Sequence, residues 1–111
     1  MLSPLTFFKC LADDTRLKSI LLISQKQEMC VCDLQEALQL SQPKVSRHLA
    51  ELRKCDLLVD ERRGKWVYYQ LNPTLPDWAL HVLDTAALNN QDYLSDCLKR
   101  LPSSCQNKCE S

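Results

Sequence analysis

Two thiols, Cys30 and Cys32, stand one residue apart in the stretch Met29-Cys30-Val31-Cys32-Asp33-Leu34. In extended backbone, side chains two positions apart point to the same side, so both sulfurs can reach one ion. Inside a helix the same side chains diverge by about 200°. Thiolates prefer soft, thiophilic ions. The spacing therefore predicts a site for a soft metal or metalloid if the pair lies at or before the start of a helix.

Other uses of this thiol pair fit the sequence less well. A disulfide across C-x-C closes a very small, strained ring, and zinc would want four ligands that are not evident nearby. Burial in the core is the usual role of a single cysteine. A thiol reductase usually needs C-x-x-C beside a βαβ pattern, which the chain lacks. We therefore predict ligation by Cys30 and Cys32, and no enzymatic activity.

The elements around the pair predict a helix-turn-helix. Asp33 and Glu36 resemble a capping box, so we expect a helix from Asp33 to about Gln39, with the thiols just outside it or in its first turn. The adjacent helix N-terminus favours the thiolate form. After a tight break Ser41 caps a further helix. Its buried stripe is Val45, Leu49 and Leu52, at i, i+4 and i+7.

A basic hairpin follows directly. Residues 57–61 and Trp66–Leu71 are rich in β-forming side chains, and the only glycine, Gly64, lies between them where a turn needs positive φ. Together with the preceding helices this predicts a winged helix. Predicted DNA contacts come from the start of the fourth helix, where Gln42 suits adenine and Arg47 suits guanine or phosphate, and from the wing. The full set is Ser41, Gln42, Lys44, Ser46, Arg47, His48, Arg62, Arg63 and Lys65.

Charge and composition agree with a small DNA-binding protein. The chain has 111 residues and no net charge, but residues 41–70 carry seven Lys/Arg and four Asp/Glu, about +3, between flanks of −1 and −2. The longest apolar run has four residues, Ile20 to Ile23, too short for a membrane. Seven cysteines without a secretory signal indicate a reduced cytoplasmic location. A winged-helix interaction module that binds no DNA is the rival class, and the cationic wing argues against it.

Helices are predicted at both ends of the chain. One spans Pro4 to Leu11, a second follows the capping residues 13–15, and one long final helix opens near Pro76 and ends near Leu101. The apolar stripe of the final helix is broader than one small domain can cover, which predicts a homodimer. The expected fold is mainly α with a small β-hairpin, in the order α-α-α-α-β-β-α. It forms one domain over residues 1–101, followed by a polar, flexible tail at 102–111.

Several stretches together resemble the ArsR/SmtB family of metal-sensing winged-helix repressors, in its arsenical-resistance branch. The similarity covers roughly residues 5–100. It is carried by "LADDTRLKSILLI", by Cys30-Val31-Cys32-Asp33-Leu34, by Ser41-Gln42-Pro43 with Ser46-Arg47-His48-Leu49, and by Gly64-Lys65-Trp66-Val67. The resemblance implies a homodimer formed through the first and last helices and bound to an inverted-repeat operator. It also implies release by As(III) or Sb(III), through which the repressor controls an arsenic-detoxification operon.

One position departs from that branch, which often has a third cysteine where this chain has Gln35. Arsenite prefers three thiolates, so Cys97, Cys105 or Cys109 is a candidate third ligand, or these three form the sensor themselves. Alternatively, two thiolates suffice, which suits a monomethylated arsenical. A redox sensor or a sensor of another thiophilic metal on the same fold stays open. Cys10 and Cys55 are expected to be core or surface thiols.

Overall fold

The computed structural model describes residues 2–101. The predicted tail, with Cys105 and Cys109, lies outside the described residues. The elements, in chain order, are α1 (Pro4–Leu11), α2 (Asp14–Lys26), β1 (Met29–Cys30), α3 (Val31–Leu38), α4 (Gln42–Lys54), β2 (Leu58–Arg63), β3 (Trp66–Leu71), α5 (Asp77–Asn89) and α6 (Gln91–Arg100). The predicted class, mainly α with a winged helix-turn-helix, is confirmed.

Helix α2 forms the centre of the core. Ile20, Leu21, Leu22 and Ile23 are consecutive and all buried, so this part of the helix is covered on every side. Helices α1, α4 and α5 and strand β3 pack around it. The stripe Val45, Leu49 and Leu52 seats α4 on this core, as predicted from its spacing. The outer face of α4 is thereby held in a fixed orientation.

The sheet has three strands where the sequence predicted a two-stranded hairpin. Strand β1 pairs antiparallel with β3, Met29 opposite Tyr69 and Cys30 opposite Tyr68, and the order is β1-β3-β2. A two-residue strand carries no periodicity of its own, so only the tertiary pairing reveals it. The wing itself follows the prediction, since Gly64 turns the hairpin with a φ of 62°.

The start of α3 differs from the predicted capping box. The N-cap is Cys30, and Asp33 is the third residue of the helix rather than its cap. Pairing with β3 holds Cys30 in an extended conformation, with φ −88° and ψ 166°, and the helix begins immediately afterwards. Asp33 keeps a favourable position all the same, because a carboxylate in the first turn complements the helix dipole.

The predicted single final helix is wrong: two helices, α5 and α6, meet at Asn90. The side-chain amides of Asn89 and Asn90 donate to the carbonyls of Thr85 and Ala86, at 2.9 Å each, and so close the end of α5. Asparagine favours such local bonds over continuing a helix. Helix α6 then packs against α3, and its Arg100 donates to the carbonyl of Ala37 at 2.9 Å.

Candidate metalloid site and DNA interface

The structure brings the two predicted thiol ligands together with a carboxylate. One ligand atom each from Cys30, Cys32 and Asp33 lies within 4.8 Å of the other two. Metal–sulfur bonds are about 2.3 Å for zinc, so two sulfurs on one such ion lie at most about 4.6 Å apart. The three side chains can therefore converge on a single ion after small rotations.

The three candidate ligands differ in their exposure to solvent. Cys30 and Asp33 are each only 1% exposed, whereas Cys32 is half-buried. The Cys32 thiol donates to Oδ1 of Asp33 across 4.0 Å. Because both thiols lie at the N-terminal end of α3, the helix dipole places its positive end beside them. The group therefore offers two sulfurs and one buried oxygen, and Cys32 is its most exposed member.

The candidate third sulfurs lie elsewhere or outside the described residues. Cys97 is buried in α6, and this burial raises the pKa of its thiol. Within residues 2–101 it does not belong to the ligand group of Cys30 and Cys32. Gln35 follows in α3 and supplies no sulfur. In the described part of the chain, the carboxylate oxygen of Asp33 is the candidate third ligand beside the two sulfurs.

Sequence reasoning missed a second thiol pair. Cys10 of α1 donates to the carbonyl of Glu51 at 3.8 Å, and the backbone N–H of Cys55 donates to the same carbonyl at 3.1 Å. Burial, together with a hydrogen bond to the Cys55 side chain, raises the pKa of Cys10 to about 12. The two residues are far apart in sequence, so no local spacing could have indicated their contact. Cys10 is the core thiol that was expected, and Cys55 is half-buried.

The predicted DNA-contacting side chains of α4 divide into two groups. Ser41, Gln42, Lys44 and Arg47 are exposed on its N-terminal half. Ser46 is half-buried and accepts a hydrogen bond from Nε2 of Gln42 at 2.8 Å, which orients that amide. These polar groups share an exposed surface at the start of the second helix of the helix-turn-helix, the position that enters the major groove in this fold.

The side chain of His48, by contrast, points towards helix α2 and not towards solvent. Its Nδ1 lies 3.7 Å from Oδ2 of Asp13, the N-cap residue of α2, and its side chain is only 20% exposed. His48 therefore packs across the α2–α4 contact. Its neighbour Arg47 is exposed.

The three wing cations also differ from one another. Arg63 forms a bidentate ion pair with Glu28, at 2.8 Å from each carboxylate oxygen, and a second pair with Glu61. Glu28 in turn has its pKa lowered by Arg63. The Arg63 guanidinium also lies 4.6 Å from the ring centroid of Tyr68. No ion pair is recorded for Arg62 or Lys65 in the described residues, and both are exposed.

Apolar side chains remain exposed on the helices near the chain ends. Phe7 of α1 and Trp78 of α5 are in edge-to-face contact, with ring centroids 5.0 Å apart, so the two helices meet at these side chains. The large exposed apolar residues are Leu5, Phe8, Trp78, Leu80 and Leu88. All five belong to α1 or α5, and patches of this kind mark interaction surfaces.

None of the helices within residues 2–101 is long and apolar enough to cross a membrane. The helix-turn-helix, its hairpin wing and the exposed polar start of α4 form the architecture of a winged-helix DNA-binding protein. Residues 13–59 match the family described as "Bacterial regulatory protein, arsR family", whose members are DNA-binding transcriptional regulators rather than enzymes.

Two relatives and one solved structure make the assignment specific. The chain is 52% identical over 101 residues to "Arsenic resistance transcriptional regulator ArsR1" of Pseudomonas putida KT2440, covering 91% of this chain and 79% of that protein. It is 49% identical over 100 residues to "Arsenical resistance operon repressor" of Escherichia coli K12, covering 90% and 86%. The structure of HlyU from Vibrio cholerae N16961 superposes with a TM-score of 0.70 at 25% identity, covering 78% and 90%. The chain belongs to the arsR family of metal-responsive repressors.

Proposed function

We propose that this chain represses an arsenic-resistance operon in the cytoplasm by binding an inverted-repeat operator as a homodimer. As(III) or Sb(III), captured by Cys30 and Cys32, releases it. The observation that carries the proposal is the convergence of both sulfurs at the first turn of α3, the helix that leads into α4. The names of the relatives from Pseudomonas putida and Escherichia coli point to the same operon class.

DNA reading is assigned to the exposed start of α4 and to the wing tip. Gln42 and Arg47 suit base edges in the major groove, while Ser41, Lys44 and Ser46 add base or backbone contacts. In the wing, Arg62 and Lys65 are placed to contact phosphate. Arg63 and His48, which the sequence also predicted as DNA contacts, each face carboxylates, and we assign them to positioning the wing and α4.

A second copy of the chain is the proposed partner of the exposed apolar residues of α1 and α5. The resemblance predicted dimerisation through the first and last helices. The split of the final helix assigns this role to α5, because Leu94 and Cys97 of α6 are buried in their own protomer. A twofold dimer would place two copies of α4 on successive major-groove faces of one operator.

The proposed switch uses two connections from the thiols to the DNA-reading surfaces. One is α3, which packs directly on α4. The other is β1, where Cys30 pairs with Tyr68 of β3. Glu28, the residue immediately before this strand, forms an ion pair with Arg63 of the wing. Drawing the sulfurs onto one ion changes the backbone between these connections. Release requires that the ion favour the DNA-free conformation, a coupling of typically about 1–3 kcal/mol.

The test measures operator affinity of the reduced protein by fluorescence anisotropy, with and without arsenite. We expect Cys30→Ser and Cys32→Ser to bind operator normally and to lose the arsenite response. Cys55→Ser, another half-buried thiol, is the matched control and should respond as the wild type does. Arsenite release that persists in both Cys30→Ser and Cys32→Ser would show that the sensor lies elsewhere.

A salt titration on the same operator tests the DNA surface. The slope of log affinity against log salt counts phosphate contacts, with roughly one unit lost per contact removed. Arg62→Ala and Lys65→Ala should each lower the slope, whereas Arg63→Ala should leave it nearly unchanged. Arg47→Ala should weaken binding by about 5- to 150-fold if it contacts guanine, for which a bidentate pair is worth about 1–3 kcal/mol. An operator affinity that none of these variants changes would exclude this surface.

A further inference from the structure

Asp33 is the one buried carboxylate in the described part of the chain, and it lies against both proposed ligand sulfurs. A carboxylate in the core needs hydrogen-bond donors around it. In the structure one such donor is the Cys32 thiol, at 4.0 Å from Oδ1. Capture of an ion by Cys32 removes this thiol donor, and a bound ligand that carries a hydroxyl group can take its place as a donor to Asp33.

We infer that Asp33 makes this site selective for trivalent arsenic that retains a hydroxyl group, in preference to organic arsenicals. The inference rests on the function proposed above. It identifies the oxygen of Asp33, rather than a third sulfur, as the protein group beside the third coordination position of the arsenic, the position that the two thiolates do not occupy.

The chemistry balances without any oxidant or reductant. Arsenous acid, As(OH)₃, exchanges two hydroxyls for the sulfurs of Cys30 and Cys32. Each thiol proton leaves with one hydroxyl as water, and the product is a dithiolate that keeps a single As–OH. That remaining hydroxyl can donate to Asp33 in place of the Cys32 thiol. The number of donors to the buried carboxylate is then the same before and after binding.

A methylated arsenical reacts in the same way but fills the third position differently. Methylarsonous acid, CH₃As(OH)₂, loses both hydroxyls to the two thiols and leaves a methyl group. A methyl group donates no hydrogen bond, so the carboxylate loses the Cys32 donor without a replacement. Hydrogen bonds to charged groups contribute enough to change affinity by about 10- to 100-fold. We expect the wild type to prefer arsenite by such a factor, relative to the preference of a free dithiol for the same two compounds.

The experiment compares dissociation constants for arsenite and methylarsonous acid in wild type, Asp33→Asn and Asp33→Ala. Binding is followed by the sulfur-to-arsenic absorption band, and each ratio is normalised to dithiothreitol. Asp33→Ala should lose the 10- to 100-fold preference, because it should bind methylarsonous acid more tightly than the wild type does and arsenite about as the wild type does. Asp33→Asn keeps the shape and one acceptor, so it should show an intermediate ratio and guards against loss of the fold. Glu36→Gln, an exposed acid on the same helix, should change nothing.

A measurement on the wild type alone completes the test. X-ray absorption of the arsenite complex should give two sulfurs and one oxygen around arsenic. A shell of three sulfurs, or an unchanged affinity ratio in both Asp33 variants, would overturn the role of Asp33 and leave the proposed function intact. Arsenite binding that survives with wild-type affinity in the double variant Cys30→Ser, Cys32→Ser would instead overturn the sensor site of the proposed function.

Discussion

Within residues 2–101 there are two pairs of neighbouring cysteines, and their surroundings are opposite. Cys30 and Cys32 lie at the N-terminal start of α3, beside a carboxylate and open to solvent at Cys32. Cys10 and Cys55 lie where α1 meets the C-terminal end of α4, and both direct hydrogen bonds at the carbonyl of Glu51. In both pairs the two cysteines are neighbours, so proximity of two thiols does not by itself make a ligand site.

The electrostatic setting separates them. The start of a helix presents N–H groups and favours negative charge, while its end presents carbonyls and favours a proton donor. Cys10 is the extreme case, because burial and the Cys55 contact raise its pKa to about 12. Thiolate is the form that binds soft ions. The two pairs therefore differ in their electrostatic surroundings: one lies at the positive end of the α3 dipole, and the other lies at the carbonyl end of α4, where the pKa of Cys10 is raised.

The largest expected effect is on alkylation of Cys10. A rise in pKa from 9.0 to about 12 lowers the thiolate fraction at pH 8 roughly a thousandfold, and burial slows the reagent further. Native protein treated with iodoacetamide should therefore label Cys10 at least that much more slowly than urea-denatured protein does, measured by peptide mass spectrometry. Equal rates in the native and denatured chain would erase the distinction between the two pairs.

Arsenite affinity should depend on only one of the pairs. We expect Cys30→Ser or Cys32→Ser to weaken binding by about 100-fold or more, because removing one of two thiolate ligands removes the chelate. The matched double variant Cys10→Ala, Cys55→Ala should bind one equivalent of arsenite with wild-type affinity. Loss of affinity in that double variant would assign the ion to the other pair.

The link from the thiol site to the wing should have a smaller effect. Arg63→Ala or Glu28→Gln removes the ion pair that connects the wing to the segment before Cys30. Such changes modulate coupling by about 0.5–2 kcal/mol, so the arsenite-induced loss of operator affinity should shrink by roughly 2- to 30-fold. Arg53→Ala, which removes a wing ion pair with Asp60 away from the thiols, is the control. Equal coupling in all three variants would leave α3 as the sole connection.

The smallest effect concerns stability at alkaline pH. The pKa of Cys10 is higher in the folded protein than in the unfolded chain, so between pH 9 and 12 the unfolded state loses a proton that the native state keeps. The free energy of unfolding, measured by urea titration, should therefore fall as pH rises through this window. Cys10→Ala should fall less steeply than the wild type. Parallel curves for the two proteins would show that this thiol does not contribute.

Much of the architecture was readable from local patterns. The stripe Val45, Leu49 and Leu52, the turn at Gly64 and the cap at Asp13 each depend on residues a few positions apart. The errors occurred where distant contacts decide the structure. Pairing with β3 moved the start of α3 ahead of Asp33, and packing of α6 on α3 accompanies the break at Asn90.

The candidate site shows the same division. The spacing of Cys30 and Cys32 predicted the ligand pair, and the basic centre of the chain predicted the DNA surface. The sequence could not show that Arg63 and His48 face carboxylates, because Glu28 and Asp13 come from other elements. Nor could it show the partnership of Cys10 with Cys55, which exists only once α1 meets the end of α4.

The sequence by itself determined which groups are present and which local elements hold them: two thiols before a helix, a helix-turn-helix and a cationic hairpin. The tertiary structure alone decided the environment of each group. Burial of Asp33 beside one thiol pair, and of Cys10 within the other, results from elements distant in sequence packing together. Solvent exclusion and neighbouring charges set the pKa and the hydrogen bonding of a side chain. The chemical properties of Asp33 and Cys10 therefore cannot be predicted from any local sequence pattern.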